Sequence, residues 1–525
     1  MSESVDETWS WLLKLVLFLA MFVVVVTYRL AIYPRFLSSF RQLPGPKNDT
    51  FLLGQLVNQY RASEPTEMYQ NWASQWPDAP FIRYKGLLGM EQLLINGVEA
   101  HKQVLQTYCY YFKKPGLFAR LVEDISGRGL LFAEGHEHKR QRKLIAHAFS
   151  ASNLRKLFPV FVAKAQDLTI CLEEVLRMEG EQNEVEVLSI FSKATMDVIG
   201  ASTLGVELKN LRSAELEMDF LQCYDRMFNQ PSLSALISFV DAHVPIRRWL
   251  PLEASRGYLE ASKEVKRMLA HCIRVRSQEI ETEKGARDKG LMSRDLLTYM
   301  IEERVESGLD LSDDDILGHL LNFISAGHET TSGLLTWAAY VLATEPEIQK
   351  KIRGETISLR QDHMFLEYAS VDSLPYLDNF VRELLRVYSP AVAVYREAIE
   401  DVTICGIDIP KGTVLTLSPC ATNLSTKIWG ENALKFDPDR WETLSGAAAS
   451  AYGTQTFANG PRICLGKQYS IMEVKVMLIE LLSNYRLSRG KTLVELGDRP
   501  VPTCSPSVTL RPQGGLKIKL QRLYS

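Results

Sequence analysis

The segment between Ser312 and Pro346 constrains the fold more than any other part of the sequence. Ser312 is followed directly by three aspartates, a capping pattern that puts acidic side chains at the positive end of a helix. Apolar residues at helical spacing then continue to Ala343, and Pro346 forbids continuation. The pattern predicts a helix roughly 45 Å long and apolar on nearly all sides. Only a large body of other elements can bury such a helix at its centre.

The composition is that of a large globular protein. The 525 residues carry 60 Lys and Arg against 63 Asp and Glu, a net charge of −3, and 46% of them are apolar. These values exclude a wholly disordered chain and argue against nucleic acid as a partner. The eight cysteines lie far apart without a C-x-x-C pair, which excludes a disulfide-rich scaffold and a zinc ribbon.

The body is predicted to be mainly α-helical with small β-sheets. Helical periodicity dominates after about residue 155. Alternating apolar and polar residues predict strands around 79–84 and 92–95. A similar alternation over 507–520, interrupted by Pro-Gln-Gly-Gly, predicts a C-terminal hairpin. No repeat and no clean second domain are visible.

The N-terminal segment from Trp9 to Thr27 is predicted to cross a membrane. As a helix it spans roughly 29 Å, close to the thickness of a hydrocarbon core. Acidic residues precede it and arginines follow it, which places the N-terminus in the lumen and the rest in the cytosol. A cleaved signal peptide, the alternative, fits the long apolar run and acidic start poorly. The predicted organisation is a lumenal tail (1–8), an anchor (9–28), a linker with a Pro-Gly-Pro hinge (29–47) and a folded body (48–525).

One loop carries a cysteine suited to metal binding. Residues 457–466 read FANGPRICLG, and an apolar helix begins just after them. A thiolate near a helix N-terminus is stabilised by free N–H groups and the helix dipole. Gly460 and Gly466 permit close approach of a flat ligand, and Arg462 can pair with a carboxylate. A buried structural cysteine after a turn is the alternative interpretation of Cys464.

This string matches F-x-x-G-x-R-x-C-x-G at every defined position and resembles the haem-binding signature of the cytochrome P-450 family, here of the fungal microsomal type. The resemblance extends from about residue 44 to 525 and implies that family's fold, with a long central helix over the haem. It implies haem b as cofactor, with Cys464 as axial ligand of the iron and Phe457 and Arg462 among the cofactor contacts. Thiolate ligation is the kind that favours O–O cleavage.

The segment 326–331 (AGHETT) in the long helix resembles the family's oxygen-binding segment. The resemblance implies that Gly327 leaves room for dioxygen, that Thr330 supplies a hydroxyl donor and that Glu329 relays protons. Back-bonding of Thr330 to the preceding turn is the alternative for the threonine alone. His328 does not belong to an H-E-x-x-H zinc motif, because position 332 is Ser, and we expect it to be a satisfied polar residue.

Two further motifs resemble those of the family. Glu383 and Arg386 form E-x-x-R on one helix face, and the segment 436–441 (FDPDRW) supplies Arg440, so the three are expected to form a buried structural triad. The family's W-x-x-x-R motif has His138 in place of Trp here, followed by Arg142. His138, Arg142 and Arg396 are expected to contact haem propionates.

The same basic stretch offers a surface for a redox partner. Its exposed members, Lys139, Arg140 and Lys143, give a cationic face for an acidic protein, or simply a solvated run of charge. The implied electron donor is NADPH through a separate cytochrome P-450 reductase, since no G-x-G-x-x-G follows a predicted strand. Cytochrome b5 is a second candidate donor.

The resemblance also implies a set of pocket residues, which lie in the family's substrate-recognition segments. They are mainly apolar, which predicts a lipophilic substrate such as a terpenoid, polyketide, alkaloid or fatty acid. Core filling is the alternative for each of them. The candidates are Phe112, Phe118, Phe323, Ile324, Ala391, Val392, Val394 and Val508.

The resemblance thus implies a monooxygenase of the endoplasmic reticulum membrane. It inserts one atom of O2 into a lipophilic molecule and reduces the other to water, with a role in secondary-metabolite biosynthesis as the expected context. A haem-thiolate isomerase or dehydratase needing no reductase is one alternative, which the retained Glu329 and Thr330 disfavour. A non-catalytic membrane haem binder is another, disfavoured by the intact Cys, Thr and E-x-x-R motifs.

Overall fold

The computed structural model of the protein describes residues 2–179, 183–212, 219–228, 253–283, 295–307, 311–362, 365–505 and 509–523. Helices make up most of it, as the periodicity predicts. They are α1 (Ser2–Thr27), α2 (Leu56–Arg61), α3 (Glu67–Gln75), α4 (Val98–Lys102), α5 (Gly116–Ser126), α6 (Gly135–Ala146), α7 (Ala151–Glu179), α8 (Val187–Ile199), α9 (Phe220–Phe228), α10 (Glu253–Glu283), α11 (Leu296–Ser307), α12 (Asp313–Thr344), α13 (Pro346–Asp362), α14 (Tyr368–Asp372), α15 (Pro375–Val387), α16 (Pro419–Asn423), α17 (Thr426–Trp429), α18 (Lys467–Asn484) and α19 (Lys491–Leu496).

The long helix α12 forms as predicted. Ser312 Oγ accepts a hydrogen bond from the Asp315 N–H at 3.1 Å, and the Asp315 carboxylate accepts from the Ser312 N–H at 2.9 Å. This reciprocal capping satisfies two donors that a helix start otherwise leaves unpaired. The helix ends at Thr344, one residue beyond the predicted end.

The main apolar core surrounds α12. It joins side chains from α7, α8, α12, α15 and α18, among them Phe161, Phe191, Leu335, Leu384 and Leu478, all of which are fully buried. Burial on most sides accounts for the apolar residues around most of the circumference of α12.

The sheets are small and lie outside this helical core. A five-stranded sheet has the order β1-β2-β8-β5-β3, a three-stranded sheet has the order β4-β12-β9, and β6-β7 and β10-β11 form two ribbons. In the five-stranded sheet the β2–β8 pair is parallel and the other pairs are antiparallel. The strands are β1 (Phe81–Lys85), β2 (Glu91–Ile95), β3 (Phe112–Lys113), β4 (Glu184–Glu186), β5 (Val394–Ala398), β6 (Val402–Ile404), β7 (Ile407–Ile409), β8 (Val414–Leu417), β9 (Tyr485–Arg489), β10 (Thr503–Cys504), β11 (Arg511–Pro512) and β12 (Lys517–Arg522).

The predicted C-terminal hairpin is wrong. The strands β11 and β12 flank the Gln-Gly-Gly turn, but β11 pairs with β10, and β12 pairs with β9 and β4. Local alternation predicts that strands form, whereas the choice of partner depends on edges supplied by distant parts of the chain.

The N-terminal helix is a candidate membrane span. The stretch Val16–Pro34 is long and apolar enough; Val16–Val25 is exposed throughout, and Pro34 at the end of the stretch is buried. A second stretch of similar length, Val187–Leu204, is 72% buried and belongs to the core. Helical geometry continues through Tyr28–Leu37, into the region predicted as linker.

The Pro-Gly-Pro segment is fixed to the body. The Arg83 N–H of β1 donates to the Pro44 carbonyl at 2.8 Å, and Phe40 is buried beneath the five-stranded sheet. A Cβ on Gly45 would lie 1.8 Å from the Arg83 carbonyl oxygen, so only glycine allows this approach. The folded body therefore begins near Phe40, earlier than the predicted boundary at residue 48.

Candidate active site

The Cys464 loop is held by glycine and by backbone hydrogen bonds. Gly460 has a φ of +71°, and a Cβ there would lie 2.1 Å from the Leu105 carbonyl oxygen. The Cys464 N–H donates to the Phe457 carbonyl at 2.8 Å, which closes the loop just before α18. These contacts fix the direction of the Cys464 side chain.

The Cys464 thiol remains uncovered. Cys464 is exposed, whereas Cys109, Cys171, Cys223, Cys272 and Cys420 are buried. Desolvation by the surrounding protein raises the pKa of Cys464, opposed by the Gly466 backbone and the Arg142 charge. Because coordination to a metal deprotonates a thiol outright, the Cys464 sulfur is suited to bind iron as a thiolate.

One face of α12 is also uncovered. Ala326 is exposed, and Phe323, Gly327 and Thr330 are half-buried, although their neighbours along the helix are buried. Spacings of three and four residues put Phe323, Ala326 and Thr330 on one face. Phe149 links this face to α18, with ring centroids 5.5 Å from Phe323 and 6.2 Å from Tyr469. The uncovered face of α12 and the helix that follows Cys464 therefore meet in one region of the molecule.

The structure shows a packing role for Gly327. A Cβ on Gly327 would lie 2.4 Å from Cδ1 of Ile199 in α8. Gly327 therefore lets α8 pack closely against α12, and Thr195 Oγ1 of α8 donates to the His328 carbonyl at 3.1 Å. Gly327 is also half-buried on the uncovered face, and its role toward dioxygen stays a prediction.

The polar residues of the 326–331 segment have defined surroundings. Thr330 Oγ1 donates to the Ala326 carbonyl at 2.6 Å, the back-bonded geometry. Glu329 is buried. His328 Nδ1 lies 2.8 Å from the Ile324 carbonyl, its ring packs 5.2 Å from that of Tyr224, and burial lowers its pKa. His328 is thus a satisfied polar side chain, as expected from the sequence.

Four cationic side chains converge near the Cys464 loop. Arg142 Nη1 donates to the Ile463 carbonyl at 2.5 Å, and Arg462 Nη1 donates to the Ala133 carbonyl at 3.1 Å. Arg462 also pairs with the Glu134 carboxylate. Arg396 is buried and donates to the Tyr395 carbonyl at 2.9 Å. The fourth is Lys114, whose Nζ lies 3.9 Å from the same Glu134 carboxylate.

The charges in this cluster are not balanced by its one carboxylate. Burial, and then Arg462, lower the pKa of Arg396 to about 10, and burial, and then Arg396, lower that of Lys114 to about 7. Among the described residues, Arg462 Nε is buried without a hydrogen-bond partner. An anionic group bound here relieves the repulsion and accepts the unpaired donor. The cluster therefore fits a ligand with carboxylates, such as the propionates of a haem.

His138 lies beside this cluster as a neutral imidazole. It is buried, with Nδ1 3.3 Å from the Tyr110 hydroxyl. Burial, and then Arg462, lower its pKa to about 4. A neutral imidazole can still donate one N–H, so replacement of the family's Trp by His138 preserves a single donor at this position.

Lys114 was not identified from the sequence. Lys113 is exposed, whereas Lys114 is 12% exposed and points inward like Phe112. Alternation of side chains in this extended stretch could have indicated the inward direction of Lys114, because it puts Phe112 and Lys114 on one side of the chain.

The structure brings Glu383, Arg386 and Arg440 together. Glu383 is fully buried and accepts two bonds from Arg386, at 2.7 and 2.8 Å. Arg440 Nε lies 3.4 Å from the same carboxylate, which also accepts from the Asp437 N–H and from Trp441 Nε1. Arg386 further donates to the carbonyls of residues 423, 433 and 435. This network joins α15 to the loop that leads toward Cys464.

Two of the predicted pocket residues are core residues. Phe112 is 1% exposed within the apolar cluster under the five-stranded sheet, and Ile324 is 0% exposed in the main core. Neither reaches an open space, because each is covered on all sides by other apolar side chains.

The other pocket candidates are partly exposed. Phe118 packs between Phe132 and Tyr395, with ring centroids 6.2 and 5.7 Å away. Phe323 lies on the uncovered face of α12. Ala391, Val392 and Val394 are half-buried, and Val508 lies outside the described residues.

The surface members of the basic stretch are exposed. Lys139 Nζ lies 4.2 Å from the centroid of the Tyr110 ring, Arg140 pairs with Glu137 at 2.6 Å, and Lys143 is solvated. Their net field is reduced by the Arg140–Glu137 pair, which leaves the two lysines as the main positive charges of this face.

Comparison with known proteins identifies the family of the chain. The family description Cytochrome P450 matches residues 44–518. Cytochrome P450 monooxygenase 205 of Postia placenta is 30% identical over 92% of each chain, and Cytochrome P450 monooxygenase FUM15 of Gibberella moniliformis is 30% identical over 93% of this chain and 89% of its own. Cytochrome P450 monooxygenase sphH of Aspergillus fumigatus is 29% identical over 91% and 89%. The chain therefore belongs to the cytochrome P450 family of haem-dependent monooxygenases.

Proposed function

We propose that this protein is a membrane-anchored monooxygenase that oxidises a lipophilic secondary metabolite, with electrons from NADPH delivered by a separate reductase. One observation carries the proposal. The Cys464 thiol and one face of α12 are both uncovered, and unbalanced cations lie beside the Cys464 loop. Haem b would need a sulfur ligand for its iron, an open face for its ring and positive charge for its carboxylates, and these three features would meet those needs.

The residues that would hold the haem each supply a different kind of group. Cys464 supplies the axial sulfur, and Arg142, Arg396, Arg462 and Lys114 supply positive charge for the propionates. His138 donates one neutral N–H. The bound group provides iron that activates O2, and a thiolate ligand favours O–O cleavage.

Thr330 and Glu329 would manage protons on the α12 side. The Thr330 hydroxyl donates to the Ala326 carbonyl, and it would have to turn away from that acceptor to present its proton to the open face. Glu329 is a buried carboxyl one residue away that can hold and pass on a proton. Thr330 would hold a proton donor at this face and Glu329 would resupply it, and neither group would act on the substrate.

The surroundings of the open face favour an apolar substrate. Phe118 and Phe323 present aromatic rings, and Ala391, Val392 and Val394 present small apolar side chains. Pockets of this composition take up lipophilic molecules and orient them through a few polar contacts. Oxygen insertion gives such a molecule a hydroxyl, an epoxide or a related group.

The N-terminal helix α1 supports a location of the protein at a membrane. The apolar stretch Val16–Pro34 would span the endoplasmic reticulum membrane once, with the N-terminus in the lumen and the catalytic body in the cytosol. The exposed Lys139 and Lys143 would then be available to an acidic surface of the reductase or of cytochrome b5.

Turnover with labelled oxygen tests the proposal. The full-length, haem-loaded protein is incubated with NADPH, cytochrome P-450 reductase, 18O2 and a panel of terpenoids and polyketides. One labelled oxygen atom per product is expected, and unlabelled product formed without NADPH would instead identify an isomerase or dehydratase.

Thr330→Ala separates proton delivery from the rest of the cycle. NADPH consumption should continue, while product falls and hydrogen peroxide rises. Thr344→Ala is the matched control, because Thr344 Oγ1 makes the same type of bond, to the Tyr340 carbonyl at 2.9 Å, at the far end of α12. Equal coupling in the two variants would contradict the role of Thr330.

A further inference from the structure

The imidazole of His138 can place its proton on either of two nitrogens, a choice that the family's tryptophan does not have. An indole N–H can only donate a hydrogen bond, whereas a neutral imidazole donates from one ring nitrogen and accepts at the other. His138 is buried near the start of α6 and is neutral, because burial, and then the charge of Arg462, lower its pKa to about 4. What the ring offers to a ligand therefore depends on which nitrogen holds the proton.

Tyr110 is the hydrogen-bond partner of this ring. Its hydroxyl lies 3.3 Å from His138 Nδ1, and the two ring centroids are 6.0 Å apart. A phenol O–H is far more acidic than the N–H of a neutral imidazole, so Tyr110 donates and Nδ1 accepts. The proton of the imidazole is then on Nε2, because the bond made by one ring nitrogen sets the state of the other.

The second ring nitrogen of His138 is open to a ligand. Within the described residues, His138 Nε2 makes no hydrogen bond. Nε2 of His101 and of His319 also lack partners, but those two atoms are sealed from solvent, whereas His138 Nε2 is not. The charges that act on the His138 ring are those of the four cationic side chains near the Cys464 loop. The acceptor for the Nε2 proton is therefore the anion expected among those cations.

The ring of Tyr110 is held by contacts that do not involve His138. Lys139 Nζ lies 4.2 Å from the centroid of the Tyr110 ring, and the Arg462 guanidinium lies 5.5 Å from it. Tyr110 also belongs to the short turn Cys109–Tyr111, whose first residue is buried. These contacts fix the phenol before any ligand binds, so its hydroxyl is already in place beside Nδ1.

We propose that Tyr110 is a positioning residue of the haem site, whose hydroxyl holds His138 in the tautomer with the proton on Nε2, where it can be donated to a haem propionate. The proposal rests on the haem site described under Proposed function. Tyr110 acts through His138 and not on the propionate, because its one hydroxyl proton is donated to Nδ1. The two residues together supply the fixed donor that a tryptophan supplies alone.

Transfer of haem from the full-length protein to excess apomyoglobin measures the effect on haem retention. Tyr110→Phe keeps the ring between the two cations and removes the hydroxyl, so transfer should be about fivefold faster, as expected for the loss of one hydrogen bond. Tyr111→Phe is the matched control, because Tyr111 is an exposed neighbour whose ring packs on that of Tyr108 at 5.4 Å. It should leave the transfer rate unchanged.

His138→Trp separates this positioning role from a general effect of Tyr110 on packing. The indole keeps an N–H donor but offers no nitrogen acceptor to the Tyr110 hydroxyl. Adding Tyr110→Phe to His138→Trp should therefore change the transfer rate by less than about twofold. An equal acceleration in both backgrounds would mean that the hydroxyl acts independently of His138, and it would overturn the proposal.

Solid-state 15N NMR of the reduced, carbon monoxide-bound protein in lipid vesicles reads the tautomer itself. Both ring nitrogens of the nine histidines are labelled, and His138→Trp identifies the signals of His138. A protonated Nε2 and an unprotonated, hydrogen-bonded Nδ1 are expected, and Tyr110→Phe should move the Nδ1 signal to that of a nitrogen without a donor. A protonated Nδ1 in the natural protein would refute Tyr110 as the donor.

The carbon monoxide spectrum of the same samples distinguishes failure of this proposal from failure of the haem assignment. If the natural protein lacks the red-shifted Soret band of thiolate-bound haem, the haem site is wrong and the role of Tyr110 is refuted with it. If that band is present and Tyr110→Phe transfers haem at the rate of the natural protein, only the role of Tyr110 is refuted.

Discussion

Glu473 should make the folded protein less stable as the pH rises. It lies in α18 with no exposed surface, and among the described residues neither of its carboxyl oxygens has a hydrogen-bond partner. Burial raises the pKa of this carboxyl well above 4.5. Between pH 4.5 and the raised pKa, the folded protein holds a proton that the unfolded protein releases. The free energy of unfolding therefore falls by about 1.4 kcal/mol per pH unit in this window.

Glu473→Gln removes this titration and keeps the side-chain volume. The stability of the variant relative to the natural protein should therefore rise by about 1.4 kcal/mol for each pH unit above 5. For 525 residues the unfolding entropy is roughly 1.1 kcal/mol per kelvin, so the difference in Tm should grow by about 1.3 °C per pH unit. The unpaired amide of Gln adds an offset that does not depend on pH.

Thermal unfolding of the haem-loaded protein, followed by near-UV circular dichroism from pH 5 to 7 at one scan rate, checks the slope. Glu480→Gln is the matched control two turns later in α18, where the carboxylate pairs with Arg360 and accepts from Asn484 at 3.1 Å. Its Tm should fall and then run parallel to that of the natural protein. A constant difference between Glu473→Gln and the natural protein would refute the buried, proton-bound carboxyl.

Three further predictions follow from the packing and charge of the site. Arg386→Ala removes the fully buried partner of the Glu383 carboxylate and should lower the free energy of unfolding by about 3–5 kcal/mol. Arg382→Ala, at an exposed site on the same helix, should cost below about 1 kcal/mol, and equal denaturation midpoints for the two variants would contradict the triad. Lys114→Met should speed transfer of haem to excess apomyoglobin, and an unchanged rate would remove Lys114 from the propionate site. Gly327→Ala places a Cβ 2.4 Å from Ile199 and should lower the Tm, and the double variant with Ile199→Ala should recover part of the lost Tm. A decrease in Tm that Ile199→Ala does not relieve would contradict the packing role of Gly327.

Residues whose roles depend on local spacing were predictable from the sequence. The Ser312 cap, the run to Thr344 and the stop at Pro346 all act within a few residues of one another, and α12 forms within one residue of expectation. The motif residues Glu383, Arg386 and Arg440 meet as the resemblance implied. Cys464 lies in the expected loop, which the bond from the Cys464 N–H to the Phe457 carbonyl closes locally.

Roles set by distant neighbours were not predictable. Phe112 and Ile324 became core residues because other elements cover them, and neither has a local signal that distinguishes core from pocket. Gly327 faces Ile199, which lies more than a hundred residues earlier. The partner strands of β11 and β12 and the inward direction of Lys114 likewise depend on edges and charges brought from elsewhere in the chain.

The absorption spectrum of the reduced protein with carbon monoxide tests the assignment of Cys464 most directly. The natural protein and Cys504→Ala, which removes a partly exposed cysteine elsewhere, should show the strongly red-shifted Soret band of thiolate-bound haem. Cys464→Ala should lose that band. A red-shifted band that persists in Cys464→Ala, or a band at the ordinary position in the natural protein, would contradict Cys464 as the thiolate ligand.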